Sequence, residues 1–360
     1  MKKLKYITIP FFIILTILIA LLVSYYPTPP VATFSLLDRP VMVEPKDRVQ
    51  YVAPAAPYMP ANQPAGGDRP TRPITIIVPF LPGGDTHLYA GMFAPFLAEI
   101  LGQPVYIMNV DGASGTVGAA AVHSAMPDGD TILFYHTGNL FTNVLTGAAE
   151  INYGDFEIAC IAMHCNANIM VIRSGLGINN AKEFLEHIKA KPGSLNVATT
   201  ITGFSYKLLR MAEIAGGFKT NAVHVGGGSI MAPSILNGHT EMGYNNIALF
   251  LEHIENGEMM PLWIASDERN ALLPDVPTMA EVGIQGGYMG RSYFFAFPPG
   301  ADENILQRLS DAVQQITEDP AFQQRIFDTT GMPVFFVPFD GASAYLDGMW
   351  NQVEGLGLFK

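Results

Sequence analysis

The sequence predicts an α/β protein of two lobes, each a mostly parallel sheet flanked by helices, with an N-terminal membrane helix. Three observations carry that prediction. Short apolar runs alternate with helical patterns from residue 74 onward, which builds parallel sheets through right-handed crossovers. A continuous apolar run of 20 residues, 7–26, follows Lys2, Lys3 and Lys5. Between these regions, residues 27–73 hold eleven of the chain's 27 prolines.

The N-terminal run comes first. Twenty residues at about 1.5 Å each span a hydrocarbon core of roughly 30 Å, and a short basic flank stays cytoplasmic. No charged residue occurs between Lys5 and Asp38. The run ends in Ser24, Tyr25, Tyr26 and Pro27, with no small-residue cleavage pattern. Residues 1–26 therefore read as a signal peptide or signal anchor, with the uncleaved anchor favoured. Everything after them is expected to be extracytoplasmic, in the periplasm or on the outer face of the membrane. Residues 27–71 form a Pro-rich linker, because proline fixes φ and removes a backbone donor, which leaves an extended spacer.

Residues 74–80, ITIIVPF, read as a buried strand, followed by a turn at Pro82-Gly83-Gly84 and a helical face of Leu88, Met92, Phe96 and Ile100 with Pro95 as a kink. Strands at 105–109 and 131–135 flank a helix at 117–126. The alternation resumes after Val171, with helix 181–190 capped by Asn179 or Asn180, strand 195–199, helix 205–215 and a strand near Val223. Helix 229–236 and strands 241–244, 262–265 and 293–297 follow, then helix 302–316 and more helix to the end. The aromatic runs Tyr293-Phe294-Phe295 with Phe297, and Phe335-Phe336 with Phe339, read as buried strands.

Composition narrows the function. Only 14% of residues are charged, and residues 49–360 carry a net charge of −15 against +3 for the first 48. That balance excludes nucleic acid as a partner, since phosphates need clustered Lys and Arg. It also gives no long-range attraction to an anion, so an anion site must be local. Cys160 and Cys165, with His164 between them, are too few for a zinc site and leave open a disulfide or two buried thiols. No metal or cofactor is expected. Ser114 lacks the G-x-S-x-G elbow of a hydrolase nucleophile, because residue 116 is Thr, so an enzyme is not expected.

In open parallel sheets, ligands bind beyond the carboxyl ends of strands, where loops present backbone N–H groups and helix N-termini. Here those loops are rich in Gly, Ser, Thr and Asn: Pro82 to Thr86, Asp111 to Thr116, His136 to Asn139, Thr199 to Ser205, Gly226 to Ser229, and Asn245-Asn246. Neutral donors on helix N-termini suit a carboxylate. Arg291, just before the last strand, is either a cationic ligand contact or a structural ion pair, the latter favoured.

Several stretches resemble one family of receptors. Residues 73–84 (PITIIVPFLPGG), Pro127-Asp128-Gly129, residues 191–196 (KPGSLN) and residues 273–278 (LPDVPT) with Glu281 and Gly283 are similar to the Bug/TctC family of extracytoplasmic solute receptors. The similarity runs from about Arg72 to Tyr345. It implies a two-lobed periplasmic-binding-protein fold, with lobe 1 formed by 72–170 and 291–360 and lobe 2 by 171–290. It further implies a monomer that closes on a small organic di- or tricarboxylate and hands it to membrane subunits of a tripartite tricarboxylate transporter. By position, the ligand-facing residues would be Phe80, Gly83, Gly84, Asp85, Thr86, His87, Thr137, Gly138, Asn139, Thr202, Gly203, Phe204, Ser205, Asn245 and Asn246. His87 and Asn245 depart from the family pattern. Both changes favour a more anionic ligand or mark a divergent branch. The rival reading is a membrane-tethered sensory or scaffold protein that uses the same cleft for signalling.

Overall fold

Strand β1 (Ile74–Val78) buries four of its five residues, as a strand must when helices cover both faces of its sheet. The computed structural model describes residues 72–355. The expected membrane segment at 7–26 and the linker lie outside the described residues. Among the described residues, no helix is long and apolar enough to cross a membrane.

From β1 the chain continues through α1 (Asp85–Leu101), β2 (Val105–Asn109), α2 (Thr116–His123), β3 (Thr131–His136), α3 (Thr137–Leu145) and β4 (Glu157–Cys165). It then passes to β5 (Asn168–Arg173), α4 (Ala181–Ala190), β6 (Asn196–Thr199), α5 (Phe204–Gly216), β7 (Asn221–His224), α6 (Gly228–Leu236), β8 (Met242–Asn246), α7 (Leu251–Glu255) and β9 (Met259–Ala265). Finally come β10 (Arg291–Phe297), α8 (Glu303–Glu318), α9 (Pro320–Thr330) and α10 (Phe339–Gly355).

The strands form two five-stranded sheets, ordered β2-β1-β3-β10-β4 and β7-β6-β8-β5-β9. In the first, β1 runs parallel to β2 and β3, and β10 lies antiparallel between β3 and β4. In the second, β6 runs parallel to β7 and β8, and β5 lies antiparallel between β8 and β9. Each sheet is therefore mostly parallel with one reversed strand, and that reversed strand is the one arriving from the other lobe.

The chain crosses between lobes twice, at Asn166-Ala167 and at Gly290. Because β5 pairs along its whole length with β8 and β9, the first crossing precedes the expected 170/171 boundary. The two crossings lie close together. A Cβ on Gly290 would stand 2.7 Å from His164 Nε2, so only glycine lets the return strand pass.

Local chemistry explains the boundaries. Asn180 caps α4 by accepting from Glu183 N at 2.9 Å, and Asp319 caps α9, where Pro320 takes the first-turn position that needs no N–H. Helix α1 runs through Pro95 and stops at left-handed Gly102. Phe93 on α1 meets Phe295 on β10 edge-on at 5.5 Å and Phe322 on α9 at 4.7 Å, which fastens the C-terminal helices to the first lobe. Trp263, Phe184 and Phe218 play the same part in the second lobe.

One expectation needs correction, and of the two readings left open for the cysteines the structure shows buried thiols. The Tyr293–Phe297 run is the fully buried β10, but Phe335 and Phe336 are half-buried in a loop and Phe339 begins α10; nearby, Val337 alone forms a β-bridge, to Ile161. Cys160 and Cys165 are free and buried. Both sit on β4, where five residues of extended chain separate their Cα atoms by roughly 16 Å, beyond the reach of a disulfide.

Candidate functional site

The strand-to-helix loops of both lobes enclose a cavity of roughly 320 Å³. The first lobe supplies Phe80, Leu81, Gly84 and Asp85 after β1, Asp111 to Ser114 after β2, His136 and Asn139 around the start of α3, and Arg291 at the start of β10. The second supplies Thr200, Thr202, Phe204 and Ser205 after β6, His224 and Gly226 to Ser229 around the β7–α6 loop, and Asn245.

Three of the helices that begin at this cavity have glycine N-caps. Gly84, Gly203 and Gly227 open α1, α5 and α6, and none offers a side-chain acceptor to the first-turn N–H groups. A helix leaves its first N–H groups without intrahelical partners, and its N-terminus carries a partial positive charge. Glycine caps add no acceptor of their own, although Thr86 N of α1 is taken by Asp85 Oδ1 and Phe204 N of α5 by Asn139 Oδ1. Helix α3 is different, because His136 Nδ1 accepts from Asn139 N at 3.2 Å.

One ion pair lies in the wall. Arg291 Nη2 stands 3.1 Å from Asp85 Oδ2, and Tyr293 OH donates to the same oxygen at 2.7 Å. Burial pushes the Asp85 carboxyl up, but Arg291, the Tyr293 hydroxyl and Thr86 N outweigh it and hold the group below the usual carboxylate range. His136 is sealed in, 3% exposed, with Phe80 stacked on it at 5.1 Å. Burial and the nearby Arg291 push its imidazole down to about 3, so it is neutral, and Nδ1 is free to act as the cap acceptor.

The lobes are closed on one another. Asn139 Oδ1, from the first lobe, accepts from Phe204 N of the second at 2.7 Å, and the Ser114 and Thr202 hydroxyls meet at 2.6 Å. Tyr89 OH donates to Asn246 Oδ1 at 3.1 Å, and Arg291 Nη2 donates to Asn245 Oδ1 at 2.7 Å. Gly138 approaches the Phe204 ring so closely that a Cβ there would lie 2.6 Å from Cδ2. Ala113 and Ser114 adopt left-handed φ values of 46° and 55°, a conformation rare for residues with a side chain, and the Asn139 and Asn143 amides hold it by donating to Ser114 O.

Of the residues expected at the ligand, Phe80, Gly84, Asp85, Asn139, Thr202, Phe204, Ser205 and Asn245 line the cavity, and the other seven do not. Gly83 shapes the turn with φ 83°, and Thr86 is buried with its N–H on Asp85 Oδ1. His87 faces sideways, half-buried, where its Nδ1 has no partner among the described residues. Thr137 Oγ1 accepts from Ser292 N, Gly138 makes room for Phe204, Gly203 caps α5, and Asn246 bonds Tyr89. The lining residues left out include Asp111, Gly112, Ala113, Ser114, His136, His224 and Arg291. Their loops carry the same Gly, Ser and His signal, but Arg291 sits on a strand, and only the return of the chain brings it to the first loop.

The model of a family described as tripartite tricarboxylate transporter family receptor matches residues 90–339. The chain is 28% identical to the protein BugT of Bordetella pertussis over 75% of this chain and 83% of that protein. Among solved structures, MatC of Rhodopseudomonas palustris with bound malate is 24% identical, with a TM-score of 0.72 over 81% of this chain and all of that one. An R. palustris protein solved with adipate is 22% identical, with a TM-score of 0.76 over 81% of this chain and 98% of that one.

Proposed function

The chain belongs to the tripartite tricarboxylate transporter receptor family, and from that premise we propose that it captures a small organic carboxylate between its lobes and delivers it to a membrane transporter of the tripartite tricarboxylate type. Receptors of this family are extracytoplasmic binding proteins, and residues 7–26 would export or tether this one. The observation that carries the reading is the cavity closed by both lobes, with the glycine-capped starts of α1, α5 and α6 at its wall. Backbone N–H groups at helix N-termini bind carboxylate oxygens without long-range attraction, which fits a chain of net charge −12. The malate and adipate of the two similar structures are dicarboxylates, and a di- or tricarboxylate touching both lobes at once would favour the closed form, as population shift requires.

The test is a thermal-shift screen of the purified protein against mono-, di-, tri- and aromatic carboxylates, with sugars and amino acids as controls. A ligand at 100 times its Kd adds about 2.7 kcal/mol, a rise of several degrees. A rise confined to carboxylates supports the receptor reading. A folded, ligand-free protein that responds to no carboxylate refutes it.

A further inference from the structure

Arg291 is the cavity-wall residue whose chemistry is least accounted for by the protein itself. It is 2% exposed, and among the described residues its side-chain hydrogen bonds both run from Nη2, to Asn168 Oδ1 at 3.1 Å and to Asn245 Oδ1 at 2.7 Å, while the same nitrogen lies in ion-pair contact 3.1 Å from Asp85 Oδ2. Its Nε is buried without a partner. A guanidinium has five N–H donors in a planar fork, and leaving some unmet in a buried, charged group is costly. The group is also held in place. Its carbon lies 4.8 Å from the centre of the Phe204 ring, and Asp85 is locked by Thr86 N and Tyr293 OH. A fixed fork with spare donors on a cavity wall suits a carboxylate, which offers it two charged oxygens where a neutral amide offers one uncharged oxygen.

We propose that Arg291 is a specificity-determining residue that meets one ligand carboxylate directly, so that this receptor distinguishes a carboxylate from its isosteric carboxamide by a side-chain charge as well as by backbone N–H groups. The inference deepens the receptor reading and rests on it. The placement gives Arg291 a second consequence. Asp85 already faces the guanidinium from the first lobe, so the site takes one carboxylate group and repels a second beside it. Meanwhile Nη2 holds Asn168 and Asn245 of the second lobe. A ligand oxygen drawn to the fork therefore lands on the group that joins the lobes.

The experiment uses full-length protein, with succinate, malate and adipate as probes and their mono-amides as matched controls, measured by calorimetry. The wild type should bind the best of the three acids about 10- to 100-fold more tightly than its mono-amide, the range expected of a hydrogen bond to a charged group. In Arg291→Gln the acid should weaken while the mono-amide changes little, so the ratio falls towards one. Arg291→Lys, which keeps the charge and loses the fork, should give an intermediate ratio and serves if the Gln variant does not fold. A wild-type ratio below twofold, or folded variants that both keep the wild-type ratio, would overturn the proposal and leave the receptor reading standing. Absence of binding to any carboxylate in the wider screen would remove both.

Discussion

Gly138→Ala should move two measurements in opposite directions. Gly138 is the second residue of α3 and its φ is not left-handed, so alanine fits the backbone and favours the helix by up to about 1 kcal/mol. The added Cβ, however, would lie 2.6 Å from Phe204 Cδ2 and 2.8 Å from Cγ, across the lobe boundary. Carbon atoms rest about 3.5 to 4.0 Å apart, so the ring must retreat by roughly 1 Å. Arg291 is stacked on that ring, and overpacking of this kind costs about 1 to 3 kcal/mol. Opening the lobes relieves the Phe204 clash, so that cost falls on the closed form, while the milder approach to His136 Nδ1 at 3.2 Å stays within the first lobe. Ligand affinity should drop by about 5- to 150-fold. Denaturant unfolding of the ligand-free variant should show equal or higher stability. Calorimetry with a carboxylate from the screen reads the first quantity, and an affinity within twofold of wild type would refute the view that Phe204 against Gly138 gates closure.

Three further outcomes follow from the same geometry. The His136 imidazole is depressed to about 3, below its unfolded value of about 6.5, so its contribution to stability is full above about pH 6.5 and is lost as pH falls towards 3, at up to about 1.4 kcal/mol per pH unit. His136→Asn keeps a cap acceptor and should flatten the denaturation midpoint between pH 6.5 and 4; a slope as steep as wild type would contradict this. A thiol reagent should find two reactive cysteines in denaturant without reductant and almost none in the native protein, whereas a count of zero in denaturant would mean a disulfide. In a double-mutant cycle, Ser114→Ala and Thr202→Ala should show coupling of about two- to tenfold in ligand affinity, since their hydroxyls bond across the closed cleft, and strict additivity would show that the bond does not form in solution.

The elements legible in the sequence were those whose local pattern agrees with their burial. Helix α4 was legible at both ends because an asparagine cap, an amphipathic stripe and a following Lys-Pro-Gly all agree. Helix α3 was not, because Thr137-Gly138-Asn139 and Thr142-Asn143 are weak helix formers. Seven of its nine residues are buried, so packing against the second lobe and α10 overrides propensity. The cavity was half legible for a related reason. Glycine-rich loops announce themselves locally, whereas Asp85 meets Tyr293 208 positions away only through the sheet order. Arg291 forms the ion pair that the sequence reading favoured, and it also lies in the cavity wall. His87, which its place in the motif put near the ligand, is not among the cavity's lining residues.

Strand β10 sits between β3 and β4, and it is among the last strands the chain makes. Until residue 297 has been made, β3 and β4 have no common neighbour, and the aromatic packing of Phe93 against Phe295 and Phe322 cannot form. The second sheet needs only residues 168–265, one uninterrupted stretch, and can assemble while the rest is still being made. A chain built this way completes the sheet of β1 to β4 last.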